Sequence, residues 1–222
     1  MFIAHNVGDR EKMELQEELM KALKELRSEK ERKFDQTVDL IINLQKFDVK
    51  RTSVNFFASV PHKVKEKKIA AFLEITNKNI DTITQDRFIK FSKDKKAVRE
   101  LVKKYDFFIA QASLMPKVAT TFGRALGPTG KMPSPQMGIM MNPDDKTIED
   151  LRTRINTNIK IRLKEASAKI NVGKQSMKDE DIVENVLSIY GDLLKKLPRD
   201  KENIKNIQLK FTMTKPIRIE VR

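Results

Sequence analysis

The sequence predicts a protein of mixed α/β and α+β class, and two patterns support this prediction. In the middle of the chain, short apolar segments alternate with segments of helical periodicity, which is typical of a parallel sheet covered by helices. Toward the carboxyl end, apolar and polar residues alternate with a period of two, which is typical of strands with one buried face. We therefore expect two different kinds of sheet in one chain.

The charge balance points to an anionic partner. The 222 residues include 45 Lys and Arg against 31 Asp and Glu, which gives a formal net charge of +14. A chain this basic is typical of proteins that bind nucleic acid, with an anionic membrane as the second option and a solvated lysine-rich surface as the third. There is no cysteine, which excludes disulfides, thiolate metal sites and a thiol nucleophile. We see neither an apolar run of membrane-spanning length nor a signal-peptide pattern, and expect a cytoplasmic protein.

The amino-terminal part begins with a long amphipathic pattern. Residues 11–33 are predicted to form one helix, because apolar residues recur at spacings of three and four on one face. The opposite face is charged with nearly balanced signs, which favours a solvated surface. Two strands are predicted to follow, at residues 38–42 and 54–60.

The middle part alternates between strand and helix patterns. Strands are predicted at 69–73, 80–84 and 107–110, and helices at 95–104, 117–126 and 144–155. This order indicates a parallel sheet with helices on both faces.

The carboxyl-terminal part returns to alternation. Lys160, Arg162 and Lys164 share one side of a predicted strand. A second strand at 168–172 and a helix opening at Asp179 follow. In the last segment, Ile207, Leu209, Phe211 and Met213 share an apolar face, while Gln208, Lys210 and Thr212 lie on the polar one.

The stretch at 123–138 stands apart because it holds four of the seven glycines and three of the eight prolines. Gly-Pro, Met-Pro and Ser-Pro steps in this spacing predict a shaped loop that carries Arg124 and Lys131. It does not match a phosphate-binding P-loop, since Ala125 stands at the first glycine position and Met132 follows Gly130-Lys131.

Several short motifs resemble one known family. L-G-P-T-G-K-M-P at 126–133 resembles the signature of the large-subunit ribosomal protein L-one family, and 106–116 resembles its archaeal branch. F-D-Q-T at 34–37 resembles the family motif F-x-[QE]-[ST], and 212–216 resembles its T-M-G motif. Thr214 departs from that motif, because the family has Gly at this position.

The resemblance implies a fold that periodicity alone does not give. It implies a discontinuous α+β domain formed by residues 1–63 and 157–222, with a doubly wound, Rossmann-like α/β domain inserted at 64–156. It also implies a structural role in the large ribosomal subunit. The expected partners are the rRNA of the stalk near the tRNA exit site, the exit-site tRNA whose movement and release the protein aids, and its own mRNA, whose translation it represses. Off the ribosome we expect a monomer.

The resemblance and the cationic strand faces together define the candidate site. The candidate RNA-binding residues are Phe34, Gln36, Thr37, Lys160, Arg162, Lys164, Lys169, Lys210, Thr212, Met213 and Thr214, and the candidate loop residues of the inserted domain are Arg124, Gly127, Gly130 and Lys131. Taken singly, Phe34 is also compatible with a core aromatic residue, and each lysine with a solvated strand face.

No motif for catalysis or for a cofactor is present. His5 and His62 are far apart, and no His/Cys/Asp cluster has metal-ligand spacing. We therefore expect no metal, no cofactor and no enzymatic activity. The alternatives are a nucleotide-dependent enzyme built on the middle segment and a transcription factor that reads DNA.

Overall fold

A computed structural model describes residues 3–29, 32–49, 54–163 and 165–219, with side chains from residue 12 onward except that of Lys93. Its contacts divide the chain into two compact units, each with its own hydrophobic core. The terminal unit comprises Met1–Lys65 and Thr157–Arg222, and the middle unit comprises Glu66–Asn156. The division into domains at 1–63 with 157–222 and at 64–156 stays a prediction.

The helices and strands follow one another in a mixed order. The helices are α1 (Ile3–Ser28), α2 (Gln85–Lys93), α3 (Lys95–Lys104), α4 (Met115–Thr129), α5 (Asp145–Thr157) and α6 (Asp179–Leu194). The strands are β1 (Thr37–Leu44), β2 (Asn55–Ser59), β3 (Ile69–Phe72), β4 (Asp81–Ile83), β5 (Phe107–Gln111), β6 (Ile139–Met140), β7 (Asn158–Arg162), β8 (Ser167–Lys174), β9 (Ile204–Phe211) and β10 (Ile217–Ile219).

The terminal unit is built on a four-stranded antiparallel sheet of order β10-β9-β1-β8. In the central strand β1, buried apolar residues alternate with half-buried ones, as the period of two predicts. Leu40 pairs with Ile170 on one side and Leu209 on the other, and all three are buried. Helices α1 and α6 pack together over this buried face, and the pair β2-β7 lies against α6. The opposite face carries mostly polar and charged side chains, among them Asp39, Lys169 and Lys210.

The middle unit is built on a parallel sheet of order β4-β3-β5-β6. All four residues of β3 are buried, which explains the continuous apolar run in its sequence. The Phe72 ring stacks on Phe108 at 5.6 Å and lies 5.0 Å from Phe122 of α4, so that aromatic contacts join sheet and helix. Helices α2, α3 and α4 pack on one another. The predicted mixed fold class is confirmed, with the parallel sheet in the predicted Rossmann-like arrangement.

The prediction that the whole of 123–138 is a loop is wrong. Helix α4 continues through Gly123, Gly127 and Pro128 as far as Thr129. Gly127 has no Cβ to clash with the following proline ring, which removes the usual obstacle to helical conformation before proline. Pro128 has no N–H to donate to the Arg124 carbonyl, but only Thr129 follows it in the helix, so the disruption is confined to the last turn.

Gly130 ends this helix. It adopts a left-handed conformation with φ 72°, which glycine accepts without a steric cost. Its N–H donates to the Gly127 carbonyl at 3.0 Å, and the N–H of Lys131 donates to the Leu126 carbonyl at 3.1 Å. This pair of bonds is a Schellman motif, in which the last helical carbonyls are satisfied.

Three further differences concern element boundaries. Helix α1 ends at Ser28 rather than near Lys33, which leaves residues 32–36 as a non-helical lead into β1. Helix α2 and strand β6 are not predicted, because α2 has only nine residues and β6 only two, too few for the pattern to stand out. Strand β9 ends at Phe211, so Met213 lies in a turn rather than on the apolar face. Lys164 lies outside the described residues.

No helix within the described ranges is both long and apolar enough to cross a membrane.

Candidate nucleic-acid interface

Three segments of the terminal unit meet at one end of its sheet: residues 34–37, 174–177 and 212–214. Strand pairing brings them together, because Thr37 at the start of β1 lies opposite Lys174 at the end of β8. On its other side, β1 pairs Val38 with Phe211 at the end of β9. We refer to these three segments as the strand-end cluster.

Thr37 and Thr212 extend the pairing of β1 and β9 by one step. The N–H of Thr212 donates to the Thr37 carbonyl at 3.1 Å. In return, the N–H of Thr37 donates to the Thr212 Oγ1 at 3.1 Å. The hydroxyl of Thr212 also lies 3.4 Å from the Thr37 carbonyl, to which it donates. The Thr212 side chain is exposed, so its oxygen is held in place and still faces solvent.

Gln36 connects the segments of the strand-end cluster through hydrogen bonds. Its side chain is only 2% exposed. Its Oε1 accepts from the N–H of Met213 at 3.1 Å, and its Nε2 donates to the Gln175 Oε1 at 3.2 Å. Its carbonyl accepts from the N–H of Gln175 at 2.8 Å. The prediction of a direct RNA contact by Gln36 is therefore corrected, because this buried amide positions the two neighbouring turns instead.

Asp35 fixes the turn that follows β8. Its carboxylate accepts from the N–H and from the hydroxyl of Ser176, both at 3.0 Å, and forms an ion pair with Lys174 at 3.4 Å. Desolvation raises the pKa of Asp35, but the hydrogen bonds from Ser176 and the ammonium of Lys174 outweigh it and leave this pKa below its ordinary value. The carboxylate therefore stays ionised and holds Lys174 beside the cluster.

Arg27 of α1 also stabilises the turn that follows β8. Its Nε donates to the Asp179 Oδ1 at 2.7 Å, while its two terminal nitrogens donate to the carbonyls of Gln175 at 2.9 Å and Met177 at 2.8 Å. Three bonds from one planar guanidinium leave this turn little freedom. The sequence pattern did not identify Arg27, because it is one of many charged residues on α1.

Phe34 and Met213 present apolar surface at the cluster. Phe34 is 51% exposed and Met213 is 58% exposed. The interpretation of Phe34 as a core aromatic residue is therefore wrong, and so is the placement of Met213 on the buried face. An exposed ring and a thioether beside a fixed hydroxyl are suited to contact the planes of bases and the sugars of RNA.

Thr214 stands where the family has glycine, and its side chain takes part in the turn. Its Oγ1 accepts from the N–H of Phe211 at 2.9 Å, and its own N–H donates to the Phe211 carbonyl at 3.2 Å. Its φ is not positive, so the turn does not require a glycine here. The threonine closes the turn with its side chain.

Lys169 and Lys210 lie on the open face of the sheet. Lys169 of β8 and Gln208 of β9 flank Ile41 of β1, and Lys210 lies opposite Asp39. Burial raises the pKa of Asp39, although the Lys210 ammonium acts in the opposite direction. This face therefore combines cations with amide groups, as expected of a surface that contacts a phosphate backbone.

Lys160 and Arg162 belong to a different sheet. They lie on β7, where Lys160 pairs with Phe57 of β2 and its ammonium stands 5.6 Å from the centre of that ring. Desolvation lowers the pKa of Lys160, and the neighbouring Arg162 adds to the effect. The fold thus groups the predicted cations on two sheets rather than on one surface of a single sheet.

Two of the four candidate loop residues of the middle unit, Gly130 and Lys131, have structural roles. The Lys131 Nζ donates to the carbonyls of Val102 at 2.7 Å and Tyr105 at 2.8 Å, which satisfies the carboxyl end of α3. Lys131 therefore connects the segment after α4 to the end of α3. Gly130 caps α4 as described, while Arg124 and Gly127 are exposed on that helix.

An acidic residue lies at the carboxyl ends of strands β3 and β5 in the middle unit. In doubly wound sheets, nucleotides bind where the strand order reverses, here between β3 and β5. At this place the Glu74 carboxylate accepts from the Ser113 hydroxyl at 2.8 Å, and the Glu74 N–H donates to the Gln111 Oε1 at 3.3 Å. A carboxylate in this position repels a phosphate. Within the described residues, no group of three His, Cys, Asp or Glu side chains could hold a metal ion.

Comparison with known proteins decides between a ribosomal protein, a nucleotide-dependent enzyme and a transcription factor that reads DNA. Residues 24–215 match the Ribosomal protein L1p/L10e family. The chain belongs to this family. It is 35% identical over 212 residues to large ribosomal subunit protein uL1 of Pyrobaculum islandicum, with 90% of this chain and 92% of the relative covered. It is 33% identical over 215 residues to the protein of the same name from Pyrococcus horikoshii, with 92% and 96% covered.

Membership of the L1p/L10e family confirms two of the predictions. The motifs at 34–37, 126–133 and 212–216 correctly identified the family. The expectation of a non-enzymatic chain is also confirmed, because the matched relatives carry the name of a ribosomal protein, which is a structural component.

Proposed function

We propose that this protein is a structural constituent of the large subunit of the cytoplasmic ribosome, and that it binds ribosomal RNA through the strand-end cluster of its terminal unit. The single observation that carries the proposal is the cluster itself. An exposed ring, an exposed thioether and a fixed hydroxyl stand together on a network of buried and charge-assisted hydrogen bonds. The names of its relatives support the assignment to the large subunit.

The chemistry of the cluster suits RNA in particular. A threonine oxygen held between two backbone groups is poised to exchange a hydrogen bond with a ribose 2′-hydroxyl, which DNA lacks. Phe34 and Met213 supply apolar contacts, and Lys174 supplies a cation next to them. The cations of the sheet face then contribute affinity that does not depend on sequence.

The site on the ribosome and the regulatory role are the finer parts of the proposal. The target is the rRNA of the stalk near the tRNA exit site, where the protein aids the movement and release of deacylated tRNA. Away from the ribosome, the monomer binds its own mRNA through the same cluster and represses translation. One cluster serves both RNAs if the mRNA presents the same local structure as the rRNA.

Crosslinking followed by RNA recovery tests the proposal. The protein is crosslinked in cells, and the recovered RNA is sequenced. We expect one dominant segment of large-subunit rRNA, together with a segment of the mRNA that encodes the protein. Recovery of messenger RNAs without rRNA enrichment, or of DNA, would contradict the proposal.

A competition measurement separates the remaining alternatives. A stem-loop RNA taken from the recovered segment competes with the DNA duplex of identical sequence for binding to the protein. We expect clear preference for the RNA, whereas equal binding would support a DNA-reading factor. Titration with ATP, GTP and NAD followed by calorimetry tests the nucleotide-dependent alternative, and we expect no heat of binding.

A further inference from the structure

Helix α3 of the middle unit carries an unbalanced charge. Its ten residues include five cations and a single acid, Glu100. The described part of α1 from residue 12 has four cations against four acids, and α6 has five acids and no cation. Helix α5 has as many acids as cations, while α2 and α4 each have a net charge of +2. Helix α3, with a net charge of +4, is therefore the most positive helix among the described residues.

Three of these cations form one stripe along the exposed side of α3. Lys96, Arg99 and Lys103 follow each other at spacings of three and four residues, which places them on one face over about 10 Å of helix. The opposite face buries Val98 and Val102 in the core. All three cationic side chains are exposed.

The three side chains of the stripe have no partner among the described residues. In the part of the chain that the structure describes, none of the three side chains forms an ion pair or a hydrogen bond. Glu100 lies four residues after Lys96 and three before Lys103, yet it pairs with neither of them. These cations consequently do not stabilise the fold through pairing.

Helix stability does not explain the amino-terminal cations either. The first turn of α3 contains Lys95 and Lys96 and no acid, although the helix dipole favours anions at this end. Asp94 caps the helix by accepting from the N–H groups of Lys96 and Ala97 at 2.9 and 3.1 Å, and this offsets part of the cost. Helix α6 shows the favourable arrangement, with three acids in its first turn.

We propose that Lys96, Arg99 and Lys103 form a second nucleic-acid contact, which binds the phosphate backbone of double-helical RNA without reading its sequence. Flexible cations with no aromatic neighbours on the stripe match phosphate oxygens and lack the groups needed to recognise bases. This surface belongs to the middle unit and is independent of the strand-end cluster. Each phosphate that it neutralises releases a counterion, which makes its contribution measurable as a salt dependence.

The test compares two triple variants of the full-length chain with equal charge loss. The stripe variant carries Lys96→Gln, Arg99→Gln and Lys103→Gln. The control carries Lys12→Gln, Lys21→Gln and Lys24→Gln on the exposed side of α1, where the charges are balanced. Binding to a mixed-sequence RNA duplex of about 24 base pairs is measured from about 50 to 300 mM salt by filter binding.

We expect the stripe variant to lower the slope of log K against log salt by about 2 to 3 units, since each lost contact accounts for about 0.9. The control is expected to change the slope by less than about 0.5. A further variant with Lys96→Arg and Lys103→Arg keeps the charge and should keep the slope. Melting temperatures establish that all variants are folded.

Several outcomes would overturn the proposal. Equal slope changes in both triple variants would mean that only net charge matters, and an unchanged slope in the stripe variant would mean that the stripe is a solvated surface. If the stripe variant loses binding to phosphatidylglycerol vesicles but keeps its binding to the duplex, the stripe contacts a lipid surface instead.

Affinities for two RNAs separate the role of the stripe from that of the strand-end cluster. The ratio of affinities for the recovered rRNA segment and for the duplex reports on the strand-end cluster. The stripe variant should weaken both RNAs alike and leave the ratio unchanged. If the parent protein shows no preference for the rRNA segment, the proposed function fails, while the duplex slopes still decide the role of the stripe.

Discussion

At the scale of single residues, Thr212 shows how one side chain serves both the fold and the interface. Its hydroxyl accepts from the Thr37 N–H at 3.1 Å and thereby extends the pairing of β1 and β9 past the end of the strand. From alternation alone, Thr212 is a polar-face residue with no other function than to fit a strand. The structure shows instead that its oxygen has a fixed position and remains exposed.

Thr212→Val keeps the shape and β-branching but removes this oxygen. We expect the affinity for the rRNA segment to fall by about 1 to 3 kcal/mol, because a ribose hydroxyl loses its partner. Water can replace the exposed bond to Thr37, so the free energy of unfolding should fall by no more than about 1 kcal/mol. Thr120→Val on α4, which removes another exposed hydroxyl bonded to backbone, is the matched control. Unchanged RNA affinity in a folded Thr212→Val protein would remove this residue from the site.

Asp39 is the anion among the cations of the open sheet face. Because burial raises its pKa, ionisation of Asp39 costs more in the folded state than in the unfolded state. This cost is present above the folded pKa and disappears as the pH falls below the ordinary carboxyl value of about 3.9. We expect Asp39→Asn to raise the melting temperature at pH 7 and to tighten RNA binding by freeing Lys210. The gain in melting temperature should vanish near pH 3.5, in contrast to Asp150→Asn on the exposed side of α5, which should have little effect at either pH.

At the scale of elements, α1 contributes to the site through Arg27. Its guanidinium holds two carbonyls and one carboxylate of the segment 175–179. Arg27→Lys can retain only part of this geometry, because an ammonium lacks the planar fork. We expect faster amide exchange at 175–177, a loss of about 1 to 2 kcal/mol in the free energy of unfolding and weaker RNA binding. Lys24→Gln, one turn earlier on α1, should change none of these, and equal exchange rates in both variants would contradict the role of Arg27.

Gly130, within the family motif at 126–133, ends helix α4, and substitutions in this helix test whether the motif has a structural role. Gly130 has φ 72°, so Gly130→Ala should cost about 1 kcal/mol of stability. Gly123→Ala lies within the same helix with open space around the new Cβ, and should raise stability by up to about 1 kcal/mol. RNA binding by the terminal unit should be unchanged in both variants. A selective loss of RNA affinity in Gly130→Ala would show that this segment contacts RNA after all.

The elements that the sequence predicted well are those with a complete period. The boundaries of α3 were predicted at the observed residues, because Val98, Leu101 and Val102 repeat at helical spacing. Pattern failed at the end of α4, where a glycine before Pro128 allows the helix to continue. It also failed at the turn after Phe211, since alternation does not indicate where a strand ends. The family resemblance supplied Phe34 and Thr212, but only the fold could show that Gln36 is buried and that Arg27 takes part.

At the scale of the whole molecule, the chain passes twice between two units with separate cores. Both crossings are fixed within the terminal unit. Ser59 pairs with Asn158, and the Val60 N–H donates to the Thr157 carbonyl at 2.8 Å. The buried Asn185 of α6 then exchanges hydrogen bonds of 3.0 Å with both backbone groups of His62. The two ends of the middle unit therefore leave from neighbouring positions.

This geometry predicts that the middle unit can be removed. A chain in which Lys65 is joined to Thr157 through about three glycines needs to span only a short distance, since each extended residue reaches about 3.5 Å. The core of the terminal unit is unchanged by the deletion, so we expect circular dichroism to show a folded protein with a cooperative thermal transition. The shortened protein should keep its preference for the rRNA segment over the duplex. It should also lose the salt dependence assigned to α3, with a slope lower by about 2 to 3 units. An unfolded product would contradict the division into independent units, whereas a folded product without RNA preference would show that recognition requires the middle unit.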